Sequence, residues 1–273
     1  KRMIRDITIG QYYPAKSVLH RLDPRVKLVG TLLYLISLFL FDNIWGYLVA
    51  TVFLITIIRL SKVPFSYIMK GMKPIIMLLL ITVLFNLFLT RGGDVLFHAW
   101  IFTITEAGLR TAVFMAIRLI YLIAGSSLMT FTTTPNALTD GIESLLHPLN
   151  KIHVPVHEVA MMMSIALRFI PILLEETDKI MKAQIARGAD LESGNIIQRA
   201  KSMIPILVPL FVSAFRRAND LAMAMESRCY RGGEGRTKMK PLKYHGRDRA
   251  AYIIVIVYVA AVFCIGKLGT GVF

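Results

Sequence analysis

Long apolar runs broken by short polar segments dominate the chain, and their lengths set the first expectation. Five stretches, at 25–41, 44–59, 74–90, 111–131 and 251–270, are long and apolar enough to cross about 30 Å of hydrocarbon with an allowance for tilt. The first two are separated only by Asp42 and Asn43, which predicts a tight helical hairpin. Pro74 falls in the first turn of the third, where its missing N–H costs little.

Between residues 132 and 250 the pattern changes to amphipathic helices. Thr134 is placed as an N-cap with Pro135 at the first helical position. The stripe Leu138, Ile142, Leu145, Leu146 and Leu149 then follows helical spacing, and Pro148 closes the helix. A second helix runs from near Pro155 to Gly188. Its Val159, Ala166, Leu173 and Ile180 repeat every seven residues, and Met162, Phe169 and Ala183 form a neighbouring row. Pro171 lies inside it and predicts a bend. Residues 159–174 mimic a sixth span, but Arg168, Pro171 and the following Glu175-Glu176 point to a position on the membrane surface.

A third helix, over about 195–230, has the most regular heptads. One row is Ile197, Ile204, Phe211, Ala218 and Met225; the other is Ala200, Leu207, Ala214 and Leu221. The seam centred on Ile204, Leu207, Phe211, Ala214, Ala218 and Leu221 predicts packing against another helix, with Ala214 and Ala218 permitting close approach. The chain therefore reads as an all-α integral membrane protein with about five transmembrane helices and three cytoplasmic-side amphipathic helices. Its expected organisation is a four-span membrane domain (1–131), a helical cytoplasmic domain (132–233), a basic linker (234–250) and a last transmembrane helix (251–273).

Composition agrees. Of 273 residues 55% are hydrophobic, and the mean hydropathy is +0.60, well above the soluble norm. The net charge of +15 would suggest nucleic acid in a soluble chain. Here, however, Lys and Arg alternate with apolar runs, and no aromatic-interleaved basic surface or nucleic-acid motif accompanies them. Seven lie in residues 1–27, four in 59–73 and seventeen in 132–250, so 28 of 32 fall on one side of a five-span arrangement. Cationic loops face the cytoplasm, so the N-terminus and the amphipathic helices are expected inside and the C-terminus outside. Lys1 to Gly10 are too polar for the core of a secretory signal, so no cleaved leader is expected.

Candidate chemistry is sparse. Cys229 and Cys264 have neither disulfide nor metal-ligand spacing. His153, His157 and Glu158 suggest a metal site by spacing, but Pro155 between the histidines places them astride a helix start. No Gly-rich loop precedes a Lys-Ser/Thr pair, so ATP belongs on another chain. No catalytic residue, metal or cofactor is therefore expected here. Arg118 is the clear ionisable residue inside the spans, read as near the inner end of the fourth. An ion pathway through it defines one alternative, a self-contained channel or secondary transporter; a membrane-surface scaffold is another.

The second and third amphipathic helices end alike, in Ala186-Arg187-Gly188 and Ser227-Arg228-Cys229. An arginine at a helix C-terminus interacts favourably with the macrodipole, and its planar fork suits carboxylate or carbonyl partners. These segments, together with Leu22-Asp23-Pro24-Arg25-Val26-Lys27-Leu28, Ala166-Leu167-Arg168-Phe169-Ile170-Pro171, Ala183-Gln184-Ile185 and Met225-Glu226-Ser227-Arg228-Cys229-Tyr230, resemble the transmembrane T component of energy-coupling factor (ECF) ABC transporters. The likeness covers essentially the whole chain in the expected order, with Asp23, Pro24 and Arg25 as its signature at the first span. It implies a non-catalytic subunit in which Arg187 and Arg228 each dock into one of two cytoplasmic ABC-type ATPases that bind ATP and Mg. It also implies that the coupling helices hold a membrane S component binding a vitamin or other micronutrient. The second motif departs from the family pattern, because Cys229 stands where glycine is usual and Gly232 follows late. Where that helix ends is left open by this departure.

Overall fold

A computed structural model describes residues 12–72, 75–89, 95–99, 102–189, 195–233, 239 and 241–269. Pro74, most of the segment 234–240 and the first eleven residues lie outside the described set. The helices are α1 (Pro24–Ser37), α2 (Ile44–Ser61), α3 (Phe65–Met72), α4 (Ile76–Leu89), α5 (Glu106–Thr132), α6 (Pro135–Leu146), α7 (Val156–Ala186), α8 (Ile196–Ser202), α9 (Ile204–Glu226) and α10 (Gly246–Gly269). The all-helical architecture expected from the apolar pattern is what forms. Among the described residues a short antiparallel hairpin, β1 (Val95–Ala99) with β2 (Phe102–Thr105), departs from it between α4 and α5.

Contacts divide the described residues into two units, one within 10–141 with 242–273 and one within 142–241. In the first unit, α1 packs on α5 and α10, and α4 packs on α5. Its core is aromatic: Tyr34, Leu38, Phe41, Tyr47, Phe131 and Tyr258 are buried. The Phe53 and Tyr258 rings stack at 3.9 Å between centroids. Buried phenols need partners, and they have them. Tyr34 donates to the Tyr121 carbonyl (3.3 Å), Tyr47 to the Phe114 carbonyl (3.2 Å), and Tyr258 receives the Ser37 hydroxyl (3.1 Å). Gly125 lets the Tyr34 ring lie against α5, because a Cβ there would stand 2.4 Å from Tyr34 Cε1.

Several boundaries differ from the hydropathy reading, and α10 starts at Gly246 rather than 251, taking up the end of the expected linker. α1 ends at Ser37 rather than residue 41, because the chain tightens into i→i+3 bonds (Phe39 N–H to Ile36, 3.1 Å; Leu40 N–H to Ser37, 3.1 Å) before the Asp42 turn. α5 starts at Glu106 rather than 111, since the Thr105 hydroxyl caps it by accepting the Gly108 N–H at 3.2 Å. The third amphipathic helix is two helices. Pro205 lacks an N–H and its ring opposes the carbonyl four residues back, so α8 stops at Ser202 and α9 restarts with Pro205 in its first turn. α7, by contrast, continues through Pro171 without ending. By length and composition α2, α5, α7 and α10 qualify as membrane spans, α4 is a shorter apolar helix, and α1, with 14 helical residues, falls below that length.

Arg118 sits in the middle of α5, not at its inner end. Its guanidinium donates to the Phe41 carbonyl (3.0 Å) and to Asp42 (2.6 Å), fastening the α1–α2 turn. The intramembrane charge thus serves the hairpin and gives no support to an ion pathway.

Asp23-Pro24-Arg25 is also structural. Asp23 caps α1, accepting the Arg25 N–H at 2.9 Å, while the Arg25 side chain returns to both Asp23 oxygens (3.0 and 2.9 Å) and lies 3.8 Å over the Tyr244 ring. Burial opposes the Asp23 charge, but these hydrogen bonds hold its carboxyl below the ordinary carboxylate range. The Asp23 N–H in turn donates to buried Asp248 (2.9 Å), whose other oxygen accepts the His245 N–H (2.8 Å). The starts of the first and last membrane helices are therefore knotted through two buried carboxylates.

Candidate functional site

The second unit is built on α7 and α9. Glu176 on α7 accepts from the Ser213 hydroxyl (2.5 Å) and from Arg217 Nη2 (2.9 Å) and Nε (3.2 Å) on α9. Toward the end of α7, Gln184 reaches the Pro205 carbonyl near the start of α9 (3.2 Å). Later residues of one helix meet earlier residues of the other, so the pair is antiparallel. The Ser213 hydroxyl, then Arg217, hold the Glu176 carboxyl below its ordinary range.

Both helices finish in the same hydrogen-bond pattern. After α7, Gly188 N–H donates to Ile185 (2.9 Å) and Ala189 N–H to Gln184 (3.0 Å), with Gly188 at φ +88°. After α9, Cys229 N–H donates to Glu226 (2.8 Å) and Tyr230 N–H to Met225 (3.0 Å), with Cys229 at φ +55°. Each is a Schellman termination with an arginine immediately before the left-handed residue. Arg187 and Arg228 thus hold equivalent positions at the last carbonyls of their helices, where cations are favoured. Both are exposed, as are Ala186, Gly188, Ser227 and Cys229. Neither guanidinium has a hydrogen-bond or ion-pair partner among the described residues.

The question raised by Cys229 is answered by its backbone. The helix end is not displaced to Gly232; Cys229 itself takes the left-handed conformation, which costs an L-residue about 1–2 kcal/mol. Cys229→Gly is therefore expected to raise stability by about 1 kcal/mol, read as a higher thermal unfolding midpoint of the detergent-solubilised protein, with transport unaffected.

The heptad rows of α9 divide between an inner and an outer face. On α9 the inward stripe is Ile206, Leu210, Ser213, Ala214, Arg217 and Leu221. Ile204, Leu207, Phe211 and Ala218 are exposed, Phe211 at 61%; of the expected seam only Ala214 and Leu221 are half-buried. Val208, Phe211, Val212 and Phe215 line a shallow groove of about 690 Å³ rimmed by Arg216, Asn219 and Asp220. A free apolar face of this kind marks an interaction surface.

The histidine candidates do not converge. His153 ends the 3-10 turn His147–Ile152 in a left-handed conformation, whereas His157 pairs with Glu143 (2.9 Å). Among the described residues no group of three or more His, Cys, Asp or Glu is placed to hold a metal ion.

Fold and site together define a helical multi-pass membrane protein whose distinctive chemistry is two matched, solvent-presented helix ends. Residues 15–239 match the CbiQ family model, described as cobalt transport protein. The chain is 59% identical to the energy-coupling factor transporter transmembrane protein EcfT of Clostridium kluyveri, over 94% of this chain and 96% of that one. It is 56% identical to that of Thermosediminibacter oceani (92% and 94%) and 49% identical to that of Bacillus subtilis (96% and 98%). The chain belongs to this family, as the transmembrane T component of an energy-coupling factor transporter, a non-catalytic subunit.

Proposed function

We propose that this chain links ATP hydrolysis by two cytoplasmic ABC-type ATPase subunits to solute uptake through a separate S component that binds a vitamin or other micronutrient. The observation that carries the reading is the equivalence of Arg187 and Arg228, two guanidiniums on matching helix terminations with no hydrogen-bond or ion-pair partner among the described residues. Each docks into one ATPase, and ATP and Mg stay on those subunits. Small neighbours, Ala186 and Gly188 or Ser227 and Cys229, let a partner backbone approach each fork. The 1–131, 132–233, 234–250 and 251–273 divisions serve as membrane anchor, coupling region, linker and final span, with the final helix reaching back to Gly246. The cationic loops and coupling helices face the cytoplasm, the C-terminus faces outward, and α7 lies on the membrane surface rather than crossing it.

Closure of the ATPases on nucleotide draws the arginine sites together. Because each arginine ends a long packed helix, the displacement passes along α7 and α9 as a scissor movement. The exposed row Ile204, Leu207, Phe211 and Ala218 carries it to the S component, which re-orients and opens inward. Reconstitution tests this. Vesicles holding the chain alone are expected to show no solute flux, and flux is expected only when both ATPases, an S component and ATP are added. Flux through the chain by itself would overturn the reading.

A further inference from the structure

The contact between α7 and α9 is not uniform, and its polar part has a particular place. Glu176 lies eleven residues before Arg187, and Arg217 lies eleven residues before Arg228. Eleven residues make just over three full turns, about 16 Å along each helix, so each arginine follows on the same helix face as the residue that crosses to the other helix. Because the helices run antiparallel, the two arms point away from the crossing in opposite directions. The Glu176–Arg217 pair therefore stands midway between the two arginines, measured along the helices.

From this we infer that Glu176, Ser213 and Arg217 form the pivot of the arginine-bearing helices, positioning residues that make both arms turn about one fixed point. The inference rests on the docking reading above and adds the place where the two docking ends are joined mechanically. Apolar packing is non-directional, so a seam of Ile206, Leu210 and Leu221 alone resists neither sliding nor rotation at a defined point. A carboxylate held by three hydrogen bonds, two of them from a planar fork, does fix a point. Ser213 and Arg217 are one turn apart on α9 and grip different oxygens of Glu176, so a slip of one residue, about 1.5 Å and 100°, breaks the set. Ser213 and Ala214 are small, which keeps the helices close at this level. The pair is part-exposed (24% for Glu176 and 42% for Arg217), so it contributes little to stability and its loss leaves the fold intact. Its value lies in geometry.

The test uses the complete transporter in proteoliposomes. Glu176→Ala and Arg217→Ala are each expected to keep both ATPases bound and hydrolysing ATP, while solute uptake per ATP falls at least fivefold. The exchange Glu176→Arg with Arg217→Glu is expected to restore uptake to within about twofold of the parent. Spin labels at exposed positions 182 and 223, in a Cys229→Gly, Cys264→Ala background, are expected to give a narrow distance distribution in the parent and the exchanged variant and a broad one in the alanine variants. Full uptake in either alanine variant, failure of the exchange to restore it, or loss of the ATPases from the alanine variants would each overturn the pivot. Failure of the docking reading appears separately, as ATPases retained and coupled when Arg187 and Arg228 are both removed.

Discussion

Replacing both Arg187 and Arg228 with alanine is expected to abolish ATP-driven uptake while the chain still inserts and remains folded. The two exposed side chains have no hydrogen-bond or ion-pair partner among the described residues, so removing them costs the fold little beyond a favourable dipole interaction of about 0.3–1 kcal/mol at each helix end. What disappears is the cationic fork that immediately precedes the left-handed residue at each termination. A charge-assisted contact of this kind carries several kcal/mol at a desolvated interface, and losing two leaves no shared handle for the motor. Single replacements are expected to retain part of the uptake, since one arm still engages. Transport assays with co-purification of the ATPases decide the matter, and unimpaired uptake in the double variant would remove the docking role.

The second large effect is expected on the exposed face of α9. Phe211→Asp or Leu207→Asp introduces a carboxylate on a row that faces outward within this chain and that we assign to the S component. The monomer tolerates the change because neither side chain supports its core. In the assembly, a buried unpaired carboxylate costs several kcal/mol, enough to weaken association by about 100-fold or more. Pull-down through the mutated chain is expected to lose the S component and keep the ATPases. Recovery of every partner unchanged would show that this face is not an interface.

The apolar pattern revealed the helices whose burial depends on lipid or on length, namely α2, α4, α5 and α10. It also located the start of α1, because Asp23-Pro24 is a cap and first-turn pair. It was blind to α3, where Phe65, Ile68, Met69 and Met72 do carry helical spacing but were read only as part of a basic segment. It was equally blind to the β1–β2 hairpin, whose runs are too short for periodicity to register. The break at Met203 was hidden because heptad spacing survives a proline that the backbone does not. Site residues followed the same division. The arginine ends were visible as repeated sequence, and their equivalence became clear only when Cys229 proved to occupy the left-handed position. The apolar rows of α9 marked a packing seam, but apolarity alone did not say which part of it meets α7 and which part is left exposed. Here the polar set of Ser213 and Arg217 takes the inner face and Phe211 is left outward. Asp248, distant in sequence from Asp23, gave no local sign of its role.

That buried link between Asp23 and Asp248 bears on how the protein is made. The helix bundle holding α1 through α5 obtains its partner α10, which begins at Gly246, only after the whole segment that follows Thr132 has left the ribosome. Until then the Asp23 amide has no acceptor, and the Tyr34 and Phe53 rings lack Tyr258 to pack against. The early helices can already pack on one another, α1 and α4 on α5, but the buried link and the third ring of the aromatic stack are completed only when the last helix has been made.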